Sequence, residues 1–599
     1  MDAAWSRRRP AFPPGHLSLR PQCGICGCAF VVEQDDIIGL IGSSDSSWLT
    51  YYTDPTPFIA YGSRMCHVHR WTLCRKQSCE LCRRLPETAT VHVECFRNFR
   101  IKCAHDEALD RVWRYAAWCK PWRQAPTYSL PNESFVSKES LAVVAKAYSI
   151  QQLTEMPSEI VQHIRKYSST AIFWRLVVSS DVAKHLSSLE NNNLVSSSLE
   201  QISDWNRGSP PTFSLAPLSS TTIVRLWIDW KGIKMIETFP RGESKYSPKR
   251  FDNMLFVIKE PKDLANITAH YQDGQLRLEL AGGLPKLQLW DTPTPPKAPL
   301  PGEFISEGSA AAASHRFCTI NLGTITGLTF IYNNANLLVA IHGHTSAHPH
   351  AEIPPESLTV QGKKTACWIY VPLPAPDEIV GISVKTLDTT YPWIKPWFLI
   401  QTKLAGEIVV GPWHPGRFQI HKLSSSPKSL MTDRAELSPV AIVGAYPRPH
   451  FERSARSRQR EIGVVPVNHP SSFPTAEGCC YFSFAPLQDV TFITIFYLND
   501  NDICRGILLE YANGGQRALG ECRIGHDRCK RYGNIATLCI QTKAQIRPGS
   551  KTRPPVAKVI CSETKRHQHE PGEESKCSEL KGVLHFWFTP NMSFVEVIQ

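Results

Sequence analysis

Ten of the 20 cysteines fall before residue 120, and this clustering constrains the fold more than any other feature of the sequence. They are Cys23, Cys26, Cys28, Cys66, Cys74, Cys79, Cys82, Cys95, Cys103 and Cys119. Thiols used only as small buried side chains would be spread evenly, so the cluster marks a separate N-terminal module, placed at 18–120. Cys23-Gly-Ile-Cys26 and Cys79-Glu-Leu-Cys82 are two C-x2-C knuckles, and His92-Val-Glu-Cys95 adds an H-x2-C pair. A two-residue spacer folds into a tight turn that aims both ligand atoms at one point, as a tetrahedral ion requires. Mixed thiolate and imidazole ligands favour a structural Zn2+. The set closest in sequence, Cys79, Cys82, His92 and Cys95, is the expected site. A second, weaker set joins Cys23 and Cys26 to Cys66 and His69, because spacing alone does not pair distant knuckles. The competing reading is a buried cluster of plain thiols.

Apolar residues make up 42% and charged residues 20%, a globular balance. Pro (46) outnumbers Gly (34), which suits turns and edge strands better than a helical bundle. No apolar run approaches the roughly 20 residues of a membrane helix. Met1 to Pro14 is basic with no apolar core after it, so no secretory signal is expected. The expected location is cytoplasmic or nuclear, where cysteines stay as thiols or metal ligands. A net charge of +12 permits a nucleic-acid partner without requiring one, and none is expected.

Residues 138–190 read as helices. Pro157 suits a first helical turn, and Ile160, Ile164 and Tyr167 then recur on one face. A third helix is expected over 171–189. The Asn-, Ser- and Pro-rich stretch 191–218 reads as a linker. Beyond it, short β-branched and aromatic runs alternate with turn residues, giving β-rich parts at 219–422 and 466–599. Between them lies a basic Ser/Pro/Arg-rich loop, 423–465, with Arg453, Arg456, Arg458 and Arg460, and a disordered insert is expected at 543–578. The fold class is therefore multidomain and mainly β: a Cys-rich zinc-type module, a short helical segment, then a large all-β region of β-prism or sandwich kind. A faint repeat of strand, short loop and strand begins near Thr222, Gly323 and Leu487.

Leu153 and Met156 before Pro157, the pair Glu159-Ile160, Ile164, and the run Phe173 to Val178 resemble an F-box. The resemblance implies that Leu153, Met156, Pro157, Ile160 and Ile164 pack against the Skp-type adaptor of a cullin-based ubiquitin ligase. It covers residues 150–189 only, with Met156 where Leu is more usual and without the family's basic-aromatic ending. A Cys-rich N-terminus, an F-box-like segment and stretches such as GLTFIYNNANLLVAIHGHT and WIYVPLP also resemble a group of uncharacterised fungal proteins, which implies architecture and no chemistry. The hairpin repeat with its Tyr511-to-Gly514 turn resembles jacalin-like β-prism lectins, but their sugar-binding Gly and Gly-x-x-x-Asp loop have no counterpart. The Cys-rich module resembles RING-like and treble-clef-like zinc folds. It lacks the ordered eight-ligand RING series, so no ligase activity of its own is inferred.

No catalytic constellation is legible. Gly549-Ser550-Lys551-Thr552 lacks the upstream Gly of a phosphate loop, and there is no H-E-x-x-H. His342, His344, His348 and His350 read as strand-edge and loop histidines. The expected function is a non-enzymatic F-box-like substrate-recognition subunit, its unidentified target bound by the β-rich region. The alternative is a lectin-like carbohydrate- or protein-binding module with no ligase link.

Overall fold

The structure, a computed structural model, describes residues 15–599 apart from 43–49, 61, 67–70, 77–78, 104, 106, 191–192, 215–218, 220, 242–248, 281–286, 296–303, 306–315, 353–365, 388–396, 414–417, 434–438, 448–479, 499–501, 545–554, 566–567 and 570–574. The described residues form six α-helices and many short strands in several sheets, so the fold is mainly β, as the sequence predicts. No described helix is long and apolar enough to cross a membrane. Contacts divide the chain into two units. One holds residues 1–295 with 312–317 and 435–437; the other holds 296–311, 318–434 and 438–599.

In the first unit, Asp36–Gly42 pairs antiparallel with Glu87–His92. Its run Ile37-Ile38-Gly39-Leu40-Ile41 is buried on both faces, which explains its continuous apolar texture. A short helix, α1 (Glu80–Arg84), precedes the second of these strands, and α2 (Val93–Lys102) follows it with His92 as N-cap. In α3 (Ala108–Ala117), Leu109, Val112, Trp113 and Ala116 recur at helical spacing and are all buried. Then come α4 (Lys138–Ala147), α5 (Ser158–Tyr167) and α6 (Ile172–Ser188). The Ser137 side chain accepts a hydrogen bond from the Ser140 amide at 3.3 Å and caps α4.

The Cys-rich segment and the helices share a core. Val182, Ala183 and Leu186 of α6 pack with Leu40, Phe96 and Trp113. Asn98 of α2 donates to the Leu176 carbonyl at 3.1 Å. A smaller core lies inside the helical group, made of Leu141, Val144, Val161, Phe173, Trp174 and Val177.

The segment expected as a linker, 191–218, holds three strands among its described residues. Val195–Ser198 pairs with Ile267–Gln272, and Ile202–Asn206 pairs with Gly232–Pro240. Its Ser and Asn content hid the apolar positions Leu199, Ile202 and Trp205, which are buried beside Leu226, Ile236 and Val257.

In the second unit, two of the repeat segments are antiparallel hairpins: Gly327–Tyr332 with Leu338–His344, and Val490–Tyr497 with Cys504–Tyr511. Each carries a further strand beyond its first, Cys367–Pro372 and Cys529–Gly533 respectively. The segment starting at Thr222 forms a third hairpin, in the first unit. One core takes alternate residues: Leu328, Phe330 and Tyr332; Ile493, Ile495 and Tyr497; Leu584, Phe586 and Phe588. The two expected breaks hold strands. Within 423–465, Pro427–Asp433 pairs with Ile442–Pro447, while Arg453, Arg456, Arg458 and Arg460 lie outside the described residues. Within 543–578, Pro555–Ser562 and Ser575–Ser578 flank Thr537–Ala544, because the buried Val556, Ala557 and Val559 outweigh the polar residues around them.

Candidate metal centres

Two groups of four ligands form in the first unit: Cys23, Cys26, His92 and Cys95, and His16, Cys74, Cys79 and Cys82. Within each, the ligand atoms all lie within 4.8 Å of one another.

The buried centre begins at the knuckle. The Cys23 amide donates to the Cys28 carbonyl and the Gly27 amide to the Cys23 carbonyl, each at 2.9 Å, closing the turn. Gly27 has φ +73, and a Cβ there would sit 2.5 Å from the Trp230 ring; at Gly24 it would meet Ala116 at 2.5 Å. Only glycine lets the turn lie so close to its neighbours. The other two ligands come from the start of α2, His92 as its N-cap and Cys95 in its first turn. Knuckle, antiparallel strand pair and helix thus follow in chain order. All four side chains are buried.

The second centre is half-buried, and its three cysteines come from the chain between the strands Asp36–Gly42 and Glu87–His92. His16 lies on His16–Ser18, which runs parallel to Trp71–Cys74. Cys79 caps α1 and Cys82 lies one turn on. Along the chain the two centres interleave.

Ligand separations distinguish a metal site from a set of hydrogen bonds. A tetrahedral ion with sulfur at about 2.3 Å and nitrogen at about 2.05 Å has a sulfur–nitrogen edge of about 3.6 Å. His92 Nδ1 lies 3.4 Å from Cys26 Sγ and 3.8 Å from Cys95 Sγ. His16 Nδ1 lies 3.7 Å from Cys79 Sγ and 3.5 Å from Cys82 Sγ. In each centre these two sulfur–nitrogen separations lie close to that edge.

Their electrostatics fit a cation. Burial pushes the Cys23 thiol up, but hydrogen bonds from Cys26 and Cys95 and the charge of His92 carry it well down. Cys26 is pushed well up by burial and by the Cys23 thiolate beside it, and Cys95 likewise rises. In the second centre, the hydrogen bond from Cys82 helps pull Cys74 down to about 5, and the same contact drives Cys82 upward. Each centre favours one thiolate and resists the next, a crowding that a divalent cation relieves.

A carboxylate stands behind the buried histidine. His92 Nε2 lies 3.6 Å from Asp35 Oδ2. Burial opposes the charged ring, yet the Cys23 thiolate and Asp35 hold His92 up at about 9. Asp35 accepts from the Val31 amide at 2.7 Å and from Arg175 of α6 at 2.8 Å, and Arg175 also donates to Glu94 at 2.7 Å. Such a partner fixes ring orientation and tunes the ligand. Asp35, His92 and Glu94 also converge as potential ligands, but the Arg175 guanidinium already bridges the two carboxylates.

The expected ligand sets are regrouped. Cys79 and Cys82 join His16 and Cys74, not His92 and Cys95; Cys23 and Cys26 join His92 and Cys95. Cys66 ends the strand Ser63–Cys66 with its side chain outside the described residues, as is His69. The reason is topological. Glu87–His92 runs antiparallel along Asp36–Gly42, with His92 opposite Ile37, and so takes His92 to the knuckle. Neither His16 nor Cys74 belongs to a short-spaced pair, so spacing alone assigns neither to a ligand set.

On α5, Val161 and Arg165 face inward, both under 7% exposed. The expected contact residues Ile160 (47%), Ile164 (37%) and Met156 (40%) face solvent. Pro157 is exposed, and Leu153 packs partly on the small helical core. In the second unit, His344 is buried, with Nε2 2.7 Å from Thr329 Oγ1 and Nδ1 2.8 Å from the Pro349 carbonyl. Both its nitrogens are thus held by the protein.

Compared with models of protein families and with curated proteins, the sequence matches none.

Proposed function

We propose that this chain is a non-enzymatic docking protein, in which two zinc ions stabilise a platform that presents α5 to a Skp-type adaptor. One observation carries the reading: nine of the nineteen exposed large apolar side chains of the described residues fall between Phe135 and Ile172. Isolated exposed apolar residues are ordinary, but a concentration of this kind marks an interaction surface. It includes Met156, Ile160 and Ile164, which the F-box resemblance assigns to adaptor contact. Three thiolates and one imidazole per centre, at tetrahedral spacing, favour zinc over harder ions. The buried centre and the docking helices are linked, because Arg175 of α6 holds the carboxylate behind His92. Target binding falls to the β-rich remainder.

The test is co-purification of the full chain with the Skp-type adaptor, beside an Ile160→Asp, Ile164→Asp double variant. Burying each half-exposed isoleucine contributes about 1 kcal/mol, half the value for full burial. Losing both, before any cost of burying charge, weakens capture at least about 30-fold. Both residues face solvent, so the variant keeps its thermal transition. Failure of the wild type to capture the adaptor overturns the reading.

A further inference from the structure

A third cysteine–histidine group lies in the second unit: Cys539, His569 and Cys577. It differs from the two metal centres in one distance. His569 Nε2 lies 3.0 Å from Cys577 Sγ, short of the tetrahedral edge of about 3.6 Å and in the range of a hydrogen bond to sulfur. Among the described residues three ligands converge, one of them exposed.

Its backbone setting suits different chemistry. Cys539 lies on the central strand Thr537–Ala544 and Cys577 on the neighbouring Ser575–Ser578, directly opposite in antiparallel register. Opposed residues in such ladders have Cα atoms about 4.5–5.5 Å apart, inside the range that a disulfide bridges. The two sulfurs lie within 4.8 Å of each other. Cys577 is exposed and touches an imidazole, whereas Cys539 is buried. Burial, together with Cys577, pushes the Cys539 thiol up to about 12, so it waits protonated.

We propose that Cys539 and Cys577 form an oxidisable pair, with Cys577 the site of attack on hydroperoxides and Cys539 the resolving thiol. His569 Nε2 takes the Cys577 proton. The thiolate sulfur attacks one peroxide oxygen: an S–O bond forms, the O–O bond breaks, and the departing oxygen takes the proton from His569 and leaves as water, or as the alcohol where the peroxide carries an alkyl group. Cys577 is thereby oxidised to the sulfenic acid by two electrons, and the peroxide is reduced. Cys539 sulfur then attacks Cys577 sulfur. The S–S bond forms, the S–O bond breaks, and the Cys539 proton leaves with the hydroxyl as water. The product staples a strand at the edge of its sheet to the strand beside it. An added dithiol reverses the step by exchange.

The experiment treats the full chain with hydrogen peroxide, alkylates the remaining thiols and maps peptides without reduction. Exposed Cys529 serves as the reference thiol. The expected result is a Cys539–Cys577 disulfide in the wild type, reversed by dithiothreitol, with Cys529 still alkylated. Cys539→Ser should instead accumulate a Cys577 sulfenic acid that dimedone traps, and Cys577→Ser should leave Cys539 reduced. Two results overturn the proposal. One is alkylation of Cys577 and Cys539 at the same extent before and after peroxide. The other is a third equivalent of zinc bound by the wild type and lost in Cys577→Ser, which would make the group a metal site.

Discussion

Replacing Cys79 or Cys95 with Ser separates the interleaved centres most sharply. The two residues belong to different centres, although they lie close in sequence. The Cys95 centre sits inside the core that joins α2, α3 and α6, with the His92 ring 4.4 Å from the Phe30 ring. Structural zinc contributes an apparent binding free energy of about 10–16 kcal/mol, as large as the 5–15 or so that holds a whole domain together. Cys95→Ser therefore abolishes the cooperative unfolding of the first unit. The Cys79 centre is half-buried and draws on short strands and a five-residue helix. Its loss leaves the main core intact, so Cys79→Ser retains one metal ion per chain and a thermal transition. The assay is metal content of natively purified full chain by mass spectrometry, beside near-ultraviolet circular dichroism during heating. The double variant should hold no metal. If Cys79→Ser lost the transition as fully as Cys95→Ser, and the double variant held as much metal as either single one, the two cysteines would share a centre and the regrouping would be refuted.

Three further outcomes follow from the same structure. Asp35→Asn removes the charge behind His92, and competition with a chelator should show metal affinity at the buried centre 10- to 100-fold weaker or thereabouts. Glu521, 2% exposed, accepts from the Trp368 amide at 2.8 Å and from Arg523 at 3.0 Å; Glu521→Ala strands buried arginine charge and should cost about 3–5 kcal/mol in denaturant unfolding, with less than about 1 kcal/mol counting against it. Burial pushes the Glu87 carboxyl up, but Arg277 at 2.8 Å overcomes it and holds the group below the usual range. Its stabilisation is therefore complete above the unfolded value of about 4.3 and lost as pH falls below it, and a Glu87→Gln variant should show a shallower acid loss of stability.

The sequence by itself determined the local features. Cysteine spacing marked both knuckles and the H-x2-C pair, because a two-residue turn dictates its own geometry. Helical periodicity placed Ile160 and Ile164 on one face, and the expected helix over 171–189 is Ile172–Ser188. Alternation marked the hairpins of the β-rich parts. Tertiary structure decided everything that joins distant segments. It brought His16 beside Cys74 through a parallel strand pair, and it gave His92 and Cys95 to the first knuckle rather than the nearer second one. It also turned Ile160 and Ile164 outward and Val161 inward, a choice that periodicity leaves open by one residue. The physical reason is the same each time. Turn and helix geometry are set by interactions within a few residues, whereas a metal centre or a buried face is set by which strands pair, and pairing is governed by burial across the whole unit.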